Sequence, residues 1–151
     1  MPNNGKNETL YGGGFHHIAL RAYDFDATLK FYIDGLGFKS THTWGEDDRA
    51  NGGKDTRAAM LDTGDGNYLE VFAGREGDPA AILPEGALIH FALRTNNVEA
   101  ALERARSLGA PVTMEPKKVF PPNGARALEF HIAFVTGPNG EVIEFFHNDT
   151  L

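Results

Sequence analysis

The stretch HHIALRAYDFDATLKFYIDGLGF, residues 16–38, recurs later in the chain as IHFALRTNNVEAALERARSLGA, residues 89–110. Each copy contains a His-x-Ala-Leu-Arg motif, followed by a segment whose apolar residues have helical spacing and then by a glycine. The motif recurs at a constant offset of 73 positions, so that His17 corresponds to His90. A repeat of this length is the signature of a duplicated supersecondary unit.

The end of the first repeat also has a counterpart. GNYLEVF, residues 66–72, corresponds to GEVIEFF, residues 140–146, at an offset of 74 positions, which aligns Glu70 with Glu144. Apolar and polar residues alternate in both segments, as they do in half-buried strands. Each half is therefore predicted to be one strand, one helix and three further strands, and residues 75–86 join the halves.

The predicted architecture is α+β, with two tandem βαβββ modules in a single domain, residues 15–147. Module one covers residues 15–74 and module two residues 87–147, and a polar, glycine-rich arm, residues 1–14, is predicted to be flexible. The two sheets are expected to curl into a half-barrel cleft. Helices are predicted at 26–36 and 97–108, and strands at 15–22, 38–45, 56–63, 67–73, 87–94, 112–119, 127–136 and 141–147.

Composition narrows the classes of function. The chain has 151 residues, 41% of them apolar, which is enough for a domain with a core. Its net charge of −7 disfavours nucleic acid and anionic membranes as partners, because phosphate binding needs a basic surface. The absence of cysteine excludes disulfides, thiolate metal ligands and a cysteine nucleophile. No signal peptide or membrane-spanning run is visible, so a small-molecule partner and a cytoplasmic location are expected.

Two adjacent histidines, His16 and His17, stand at the head of the first repeat. In a strand, neighbouring side chains point to opposite faces, so the two cannot share one role. The repeat aligns His16 with Ile89, an apolar position, and His17 with His90. His17 is therefore the predicted functional residue, and His16 is predicted to occupy a packing position.

Four polar residues fall on the strand faces turned away from the predicted helices. They are His17, Glu70, His90 and Glu144. A carboxylate on such a face is costly unless it is protonated, paired or bound to a cation. Two imidazoles and two carboxylates suit a divalent first-row ion, and Zn, Ni, Co, Mn and Fe all accept these ligands. The sequence therefore predicts a metal site, with a metal-free cleft lined by His–Glu pairs as the alternative.

In these motifs the chain resembles the vicinal oxygen chelate superfamily of glyoxalases, bleomycin-resistance proteins and extradiol dioxygenases, and within it the glyoxalase I type. The resemblance covers nearly all of residues 15–147 and is strongest in HIALRAYDFDATLKFYIDGLGF, NYLEVF, IHFALR and GPNGEVIEFF. It implies paired βαβββ modules that form a metal-binding cleft, and assembly as a homodimer. The metal ligands that it implies are His17, Glu70, His90 and Glu144.

The same resemblance implies an enzyme, a lyase or isomerase whose metal holds two neighbouring oxygens of the substrate. Glu144, with Glu70 as its partner, would move a proton at a carbon beside a carbonyl, and the metal would stabilise the enediolate. Activities like those of methylmalonyl-CoA epimerase and extradiol dioxygenases remain alternatives, as does non-catalytic binding of a small molecule. Extradiol enzymes use two histidines and one glutamate, so Glu70 would fill a position that they keep free.

The sequence does not identify the substrate. Arg21 corresponds to an arginine that glutathione-dependent glyoxalases use for the glutathione carboxylate, which makes it a candidate substrate-binding residue. The alternative is a structural ion pair at the strand end. The stretch EVFAGREG lacks the Thr/Asn/Trp-Gly run that those enzymes carry after the second ligand. Trp44 and Phe72 are candidates for an apolar cleft wall, although core packing explains them nearly as well.

Overall fold

The computed structural model describes residues 7–12, 14–121 and 129–149. The first six residues of the predicted flexible arm, and the start of the strand predicted at 127–136, lie outside the described residues. Residues 7–12 form a short turn around a 3₁₀ helix, Glu8–Leu10, whose last amide donates to Asn7 Oδ1 at 3.2 Å. The chain divides into two compact units, one ending at Glu76 and the other spanning Gly77–Asp149.

The first unit contains a four-stranded sheet and one helix. The strands are β1 (His17–Arg21), β2 (Lys39–Trp44), β3 (Ala58–Asp62) and β4 (Tyr68–Phe72), and the helix α1 (Phe25–Lys30) continues into a π-helical turn, Phe31–Gly35. The sheet order is β1-β4-β3-β2. β1 runs parallel to β4, whereas the other neighbouring strands are antiparallel.

The second unit repeats this arrangement. Its elements are β5 (Phe91–Arg94), α2 (Val98–Ser107), β6 (Val112–Val119), β7 (Phe130–Thr136) and β8 (Val142–His147). The sheet order is β5-β8-β7-β6, and β5 runs parallel to β8. The predicted α+β class and the two βαβββ modules are therefore confirmed.

Both helices begin at side chains that cap them. Asp24 Oδ1 accepts a hydrogen bond from the Ala27 amide, and Asn97 Oδ1 accepts one from the Ala100 amide, each at 2.9 Å. These bonds satisfy amides that have no partner within the first turn of a helix. Beyond the π-helical turn, Gly37 has a φ of 76°, a left-handed conformation that lets the chain reverse into β2.

Each sheet has one buried face and one face that carries polar residues. The buried apolar side chains on β4 and β8 are Leu69, Val71, Ile143 and Phe145. Burial of each such side chain contributes roughly 1.5–3 kcal/mol to folding, which sets the orientation of the strand. Glu70 and Glu144 alternate with these residues, so their side chains project from the opposite face.

An ion cluster ties the start of β3 to α1. Arg57 donates from Nε and Nη2 to the carboxylate of Asp55 at 2.9 and 2.8 Å, and from Nη1 to Asp26 Oδ1 at 2.9 Å. Its guanidinium also lies 4.7 Å from the centroid of the Phe25 ring. The hydrogen bonds from Arg57 lower the pKa of the Asp55 carboxyl, whose side chain is only 6% exposed. The cluster therefore depends on an ionised Asp55.

Candidate functional site

The first predicted ligand pair forms between β1 and β4. The parallel register places His17 beside Tyr68 and Ala19 beside Glu70. His17 Nε2 lies 3.2 Å from Glu70 Oε2, and the two side chains are 41% and 14% exposed. Solvent therefore reaches the histidine of the pair, whereas most of the carboxylate side chain is covered.

The second pair forms at the equivalent place in the other unit. His90 Nε2 lies 3.0 Å from Glu144 Oε2, with side chains 31% and 11% exposed. The alternation predicts His90 within a strand, but β5 begins one residue later, at Phe91. The contact forms all the same because the β5–β8 register places Glu144 beside Ala92, two residues after the histidine.

Glu144 lies in a more apolar environment than an ordinary surface carboxylate. Phe134 is its register partner on β7, and the Phe134 ring meets the His90 ring edge-to-face, with centroids 5.3 Å apart. Burial raises the pKa of the Glu144 carboxyl above its usual range, and this outweighs the lowering caused by the charge and hydrogen bond of His90. A carboxyl of this kind holds a proton more readily than an ordinary surface carboxylate.

The prediction that His16 occupies a packing position is wrong. The residue is exposed, its Nδ1 lies 3.0 Å from Nδ1 of His17, and its ring centroid lies 5.2 Å from that of Tyr68. Its carbonyl accepts a hydrogen bond from the Tyr68 amide at 2.8 Å, so its backbone still pairs with β4. The side chain lies at the exposed start of β1, where ring contacts with His17 and Tyr68 take the place of core packing. The two Nδ1 atoms share a hydrogen bond, with one ring as donor and the other as acceptor, and this contact restrains the ring of His17.

Arg21, the candidate substrate-binding residue, is anchored to the backbone. Its Nη1 donates to the Ala73 carbonyl at 2.9 Å, and its guanidinium lies 5.4 Å from the centroid of the Phe72 ring. This anchor differs from the ion pair considered as the alternative. Arg21 ends the strand that His17 begins, about 13 Å away at roughly 3.3 Å per residue, so a substrate role for it stays a prediction.

A cavity of about 430 Å³ opens on the first unit beside the first pair. Its lining consists of His16, Thr41, His42, Trp44, Met60 and Tyr68. Of these, the sequence pattern suggested only Trp44 as a wall residue. The alternation of β3 and β4 was the available signal for two others, because it places Met60 and Tyr68 on the same face as Glu70.

The donor set of the two pairs fits a divalent transition metal. Imidazole nitrogens and carboxylate oxygens are ligands that Zn, Mn, Fe, Co and Ni accept, and each pair contains one imidazole nitrogen facing one carboxylate oxygen. Within the described parts of the chain, no group of three or more His, Asp or Glu side chains could hold a metal ion. Each unit therefore offers two ligands.

A sequence model of the Glyoxalase/Bleomycin resistance protein/Dioxygenase superfamily matches residues 14–145. The chain belongs to this superfamily. The resemblance seen in the repeated motifs is thereby confirmed over most of the sequence. A search of the curated proteins finds no match.

Several solved structures share the fold. The chain is similar to a glyoxalase family protein from Enterococcus faecalis, at 20% identity and a TM-score of 0.65, over 89% of this chain and 97% of that one. It is similar to a mutant of FosX, a fosfomycin resistance protein from Listeria monocytogenes, at 15% identity and a TM-score of 0.62, over 88% and 90% of the two chains. A glyoxalase I mutant from Zea mays matches at 22% identity and a TM-score of 0.59, over 87% of this chain and 43% of that one.

Superfamily membership does not by itself choose between catalysis and binding, because the superfamily includes both resistance proteins and enzymes. That choice depends on the His–Glu pairs.

None of the described helices is long and apolar enough to cross a membrane.

Proposed function

We propose that this chain is a metal-dependent lyase or isomerase that moves a proton at a carbon next to a carbonyl. The observation that carries the proposal is the recurrence of one His–Glu pair, with Nε2 facing Oε2 at 3.2 and 3.0 Å, at equivalent positions of two duplicated units. Core packing has no use for an imidazole and a carboxylate at these positions. A shared ligand function gives both copies a reason to keep them.

The proposed metal ligands are His17, Glu70, His90 and Glu144. A divalent ion held by them would supply a Lewis acid for the negative charge that develops on neighbouring substrate oxygens. Support comes from FosX, whose solved structure is complexed with Mn(II) and a dihydroxypropylphosphonic acid, a molecule with two vicinal oxygens. Glyoxalase I, a second structural relative, supports the lyase or isomerase class.

Glu144 is the proposed base. Its carboxylate removes a proton from the hydroxyl-bearing carbon beside the carbonyl, the electron pair of that C–H bond forms a C=C bond, and the carbonyl π pair moves to the carbonyl oxygen. The proton then returns to the former carbonyl carbon, while the hydroxyl proton passes to the neighbouring oxygen, so that hydroxyl and carbonyl change places. Glu70, which is paired with an exposed histidine, is the proposed partner carboxylate.

Metal content tests the proposal directly. The full chain, purified without a tag and dialysed against Mn, Zn, Ni, Co or Fe(II), is expected to retain a near-stoichiometric amount of at least one of these metals. The double variant His17→Ala/His90→Ala is expected to retain none. His131→Ala is the matched control, because His131 contacts Glu99 of α2 at 3.0 Å and belongs to neither pair.

Turnover is measured on the metal-loaded protein by solvent deuterium exchange at the carbon beside the carbonyl. Hemithioacetals, acyl-CoA esters and α-hydroxyketones form the substrate panel, and oxygen consumption with a catechol checks the dioxygenase alternative. If no metal binds, the enzyme proposal fails. The cavity on the first unit then favours the second candidate, a small-molecule binding protein.

We further propose that the protein acts as a cytoplasmic homodimer. Two chains that carry His17→Ala and His90→Ala separately, co-expressed with different tags, test which pairs combine. If each site joins pairs from two chains, the mixed dimer keeps one intact site and regains about half a metal equivalent per chain. If each site lies within one chain, the mixed dimer binds no metal.

A further inference from the structure

The cavity on the first unit has a chemical character that the proposed proton transfer does not use. Trp44 and Met60 supply apolar wall, and the Trp44 ring meets the Phe72 ring edge-to-face at 6.2 Å. The Tyr68 and His16 rings are tilted by 33°, with centroids 5.2 Å apart, and add aromatic surface to the lining. A lining rich in aromatic rings suits an aromatic group on the ligand.

None of the six lining residues is Lys, Arg, Asp or Glu. The charged groups of glutathione or of coenzyme A would find no counter-charge within this cavity, and their desolvation would be uncompensated. Thr41, His42 and Tyr68 provide polar atoms at the wall, although the Thr41 hydroxyl already donates to the Met60 carbonyl at 3.1 Å. The lining therefore favours an uncharged, largely apolar group.

The cavity also continues the surface that carries the first ligand pair. Tyr68 is the register partner of His17, and Met60 is the register partner of Glu70. Each proposed ligand of this pair therefore lies next to a cavity-lining residue on the same face of the sheet. His16 touches both, because it contacts His17 and lines the cavity. A molecule with its oxygens at the pair would place an attached ring in the cavity.

We infer that the substrate carries an uncharged aromatic ring, bound in this cavity, next to its two vicinal oxygens. The inference rests on the proposed function for the position of the oxygens, while the cavity alone specifies the ring. It names aryl hydroxyketones, or aryl ketoaldehydes and their adducts with small uncharged thiols, as the substrate class. Glutathione conjugates and acyl-CoA esters are disfavoured.

Two α-hydroxyketones isolate the contribution of the ring. 2-Hydroxyacetophenone and hydroxyacetone share the vicinal oxygens and differ in a phenyl group against a methyl group. Burial of the ring is expected to tighten binding by about tenfold or more. Glutathione serves as the charged probe and is expected not to compete.

The chain has a built-in reporter for the cavity. Trp44 is its one tryptophan, and of its three methionines Met60 lines the cavity while Met114 lies on β6 of the other unit. With ¹⁵N-indole and ¹³C-methyl labels on the full chain, 2-hydroxyacetophenone is expected to shift the signals of Trp44 and Met60 to saturation and to leave the Met114 signal in place. Equal shifts at Met114, equal affinity for hydroxyacetone, or no saturable shift at millimolar concentration would each overturn the inference.

Trp44→Ala tests the aromatic wall, and Thr43→Ala is its matched control. Trp44 is 44% exposed on the edge strand β2, so its loss leaves the core intact. Thr43 is the adjacent residue and projects from the other face, opposite Ala59. Trp44→Ala is expected to weaken binding of 2-hydroxyacetophenone, followed at the Met60 methyl, about tenfold, whereas Thr43→Ala binds as the unaltered chain does. Equal binding by the two variants contradicts the assignment.

The binding titration is run on both metal-loaded and metal-stripped protein. Saturable binding of 2-hydroxyacetophenone without metal uptake would support the cavity assignment and contradict the proposed function. Metal uptake with equal exchange activity on the phenyl and methyl ketones would support the proposed function and contradict the cavity assignment. The two failures are therefore distinguishable.

Discussion

The two units carry the same His–Glu pair in different surroundings. In the first unit, His17 is held by a second histidine and lies beside an apolar cavity, and its side chain is 41% exposed. In the second unit, His90 packs against Phe134, and burial raises the pKa of Glu144. The same pair thus recurs with different neighbours. In the first unit the histidine is accessible, and in the second unit burial makes the carboxyl hold a proton more readily.

The largest expected effect on turnover comes from replacing each of the two carboxylates, one at a time, with an amide. In metal-loaded protein, Glu144→Gln is expected to lower turnover by about 10²–10⁴-fold, because an amide cannot accept the proton. Glu70→Gln is expected to cost less turnover. Deuterium exchange measures the rate, and elemental analysis confirms that each variant is loaded. Wild-type turnover in loaded Glu144→Gln, or a larger loss in Glu70→Gln, would reverse the roles assigned to the units.

A smaller effect is expected from the histidine that only the first unit has. His16→Ala removes the contact that restrains the His17 ring, and loss of such a partner typically weakens metal affinity by about 10–100-fold. Ile89→Ala, at the equivalent position of the second unit, is the control and is expected to leave affinity unchanged. A competition titration with a metal-sensitive dye compares the two. Equal affinities in both variants would show that the histidine contact is incidental.

The smallest effect concerns a structural ion pair that also recurs. Arg57 meets Asp26 of α1 at 2.9 Å, and at the equivalent place His131 meets Glu99 of α2 at 3.0 Å. Arg57→Ala is expected to lower the free energy of unfolding by about 1–2 kcal/mol, because it removes two short hydrogen bonds to the largely buried carboxylate of Asp55 and leaves it the longer contact with Arg49 Nη2 at 3.5 Å. His131→Ala is expected to cost about 0–1 kcal/mol, since Glu99 is well exposed.

The same variant has a predictable pH dependence. The folded-state pKa of Asp55 is lowered by Arg57, so the stabilisation is fully present above the ordinary pKa of an aspartate. It is lost as the pH falls through the lowered folded-state value. The stability gap between the unaltered chain and Arg57→Ala, measured by urea unfolding, is therefore expected to narrow in acid. A gap that stays constant down to strongly acidic pH would contradict this account.

Much of the fold and the candidate ligands could be predicted from the sequence, because a duplicated unit is visible as a repeat in the sequence. The offsets that align His17 with His90 and Glu70 with Glu144 recover the modules, and period-two alternation assigns the carboxylates to the face opposite the buried residues. The helix caps are less well determined, because Asp26 and Asn96 have side chains of the same kind near the two helix starts, and the structure selects Asp24 and Asn97.

The cavity could not be predicted from the sequence, because its lining depends on departures from alternation. Thr41 and His42 are neighbours, yet both line it, since the β2–β3 register shifts between Ser40 and His42. His16 joins them because its ring contacts the Tyr68 ring at the start of β1. Alternation is a property of regular strands, and the sequence determines it. The bulge in β2 and the ring contacts at the end of β1 depend on how neighbouring strands meet, so only the tertiary structure decides the shape of the binding surface.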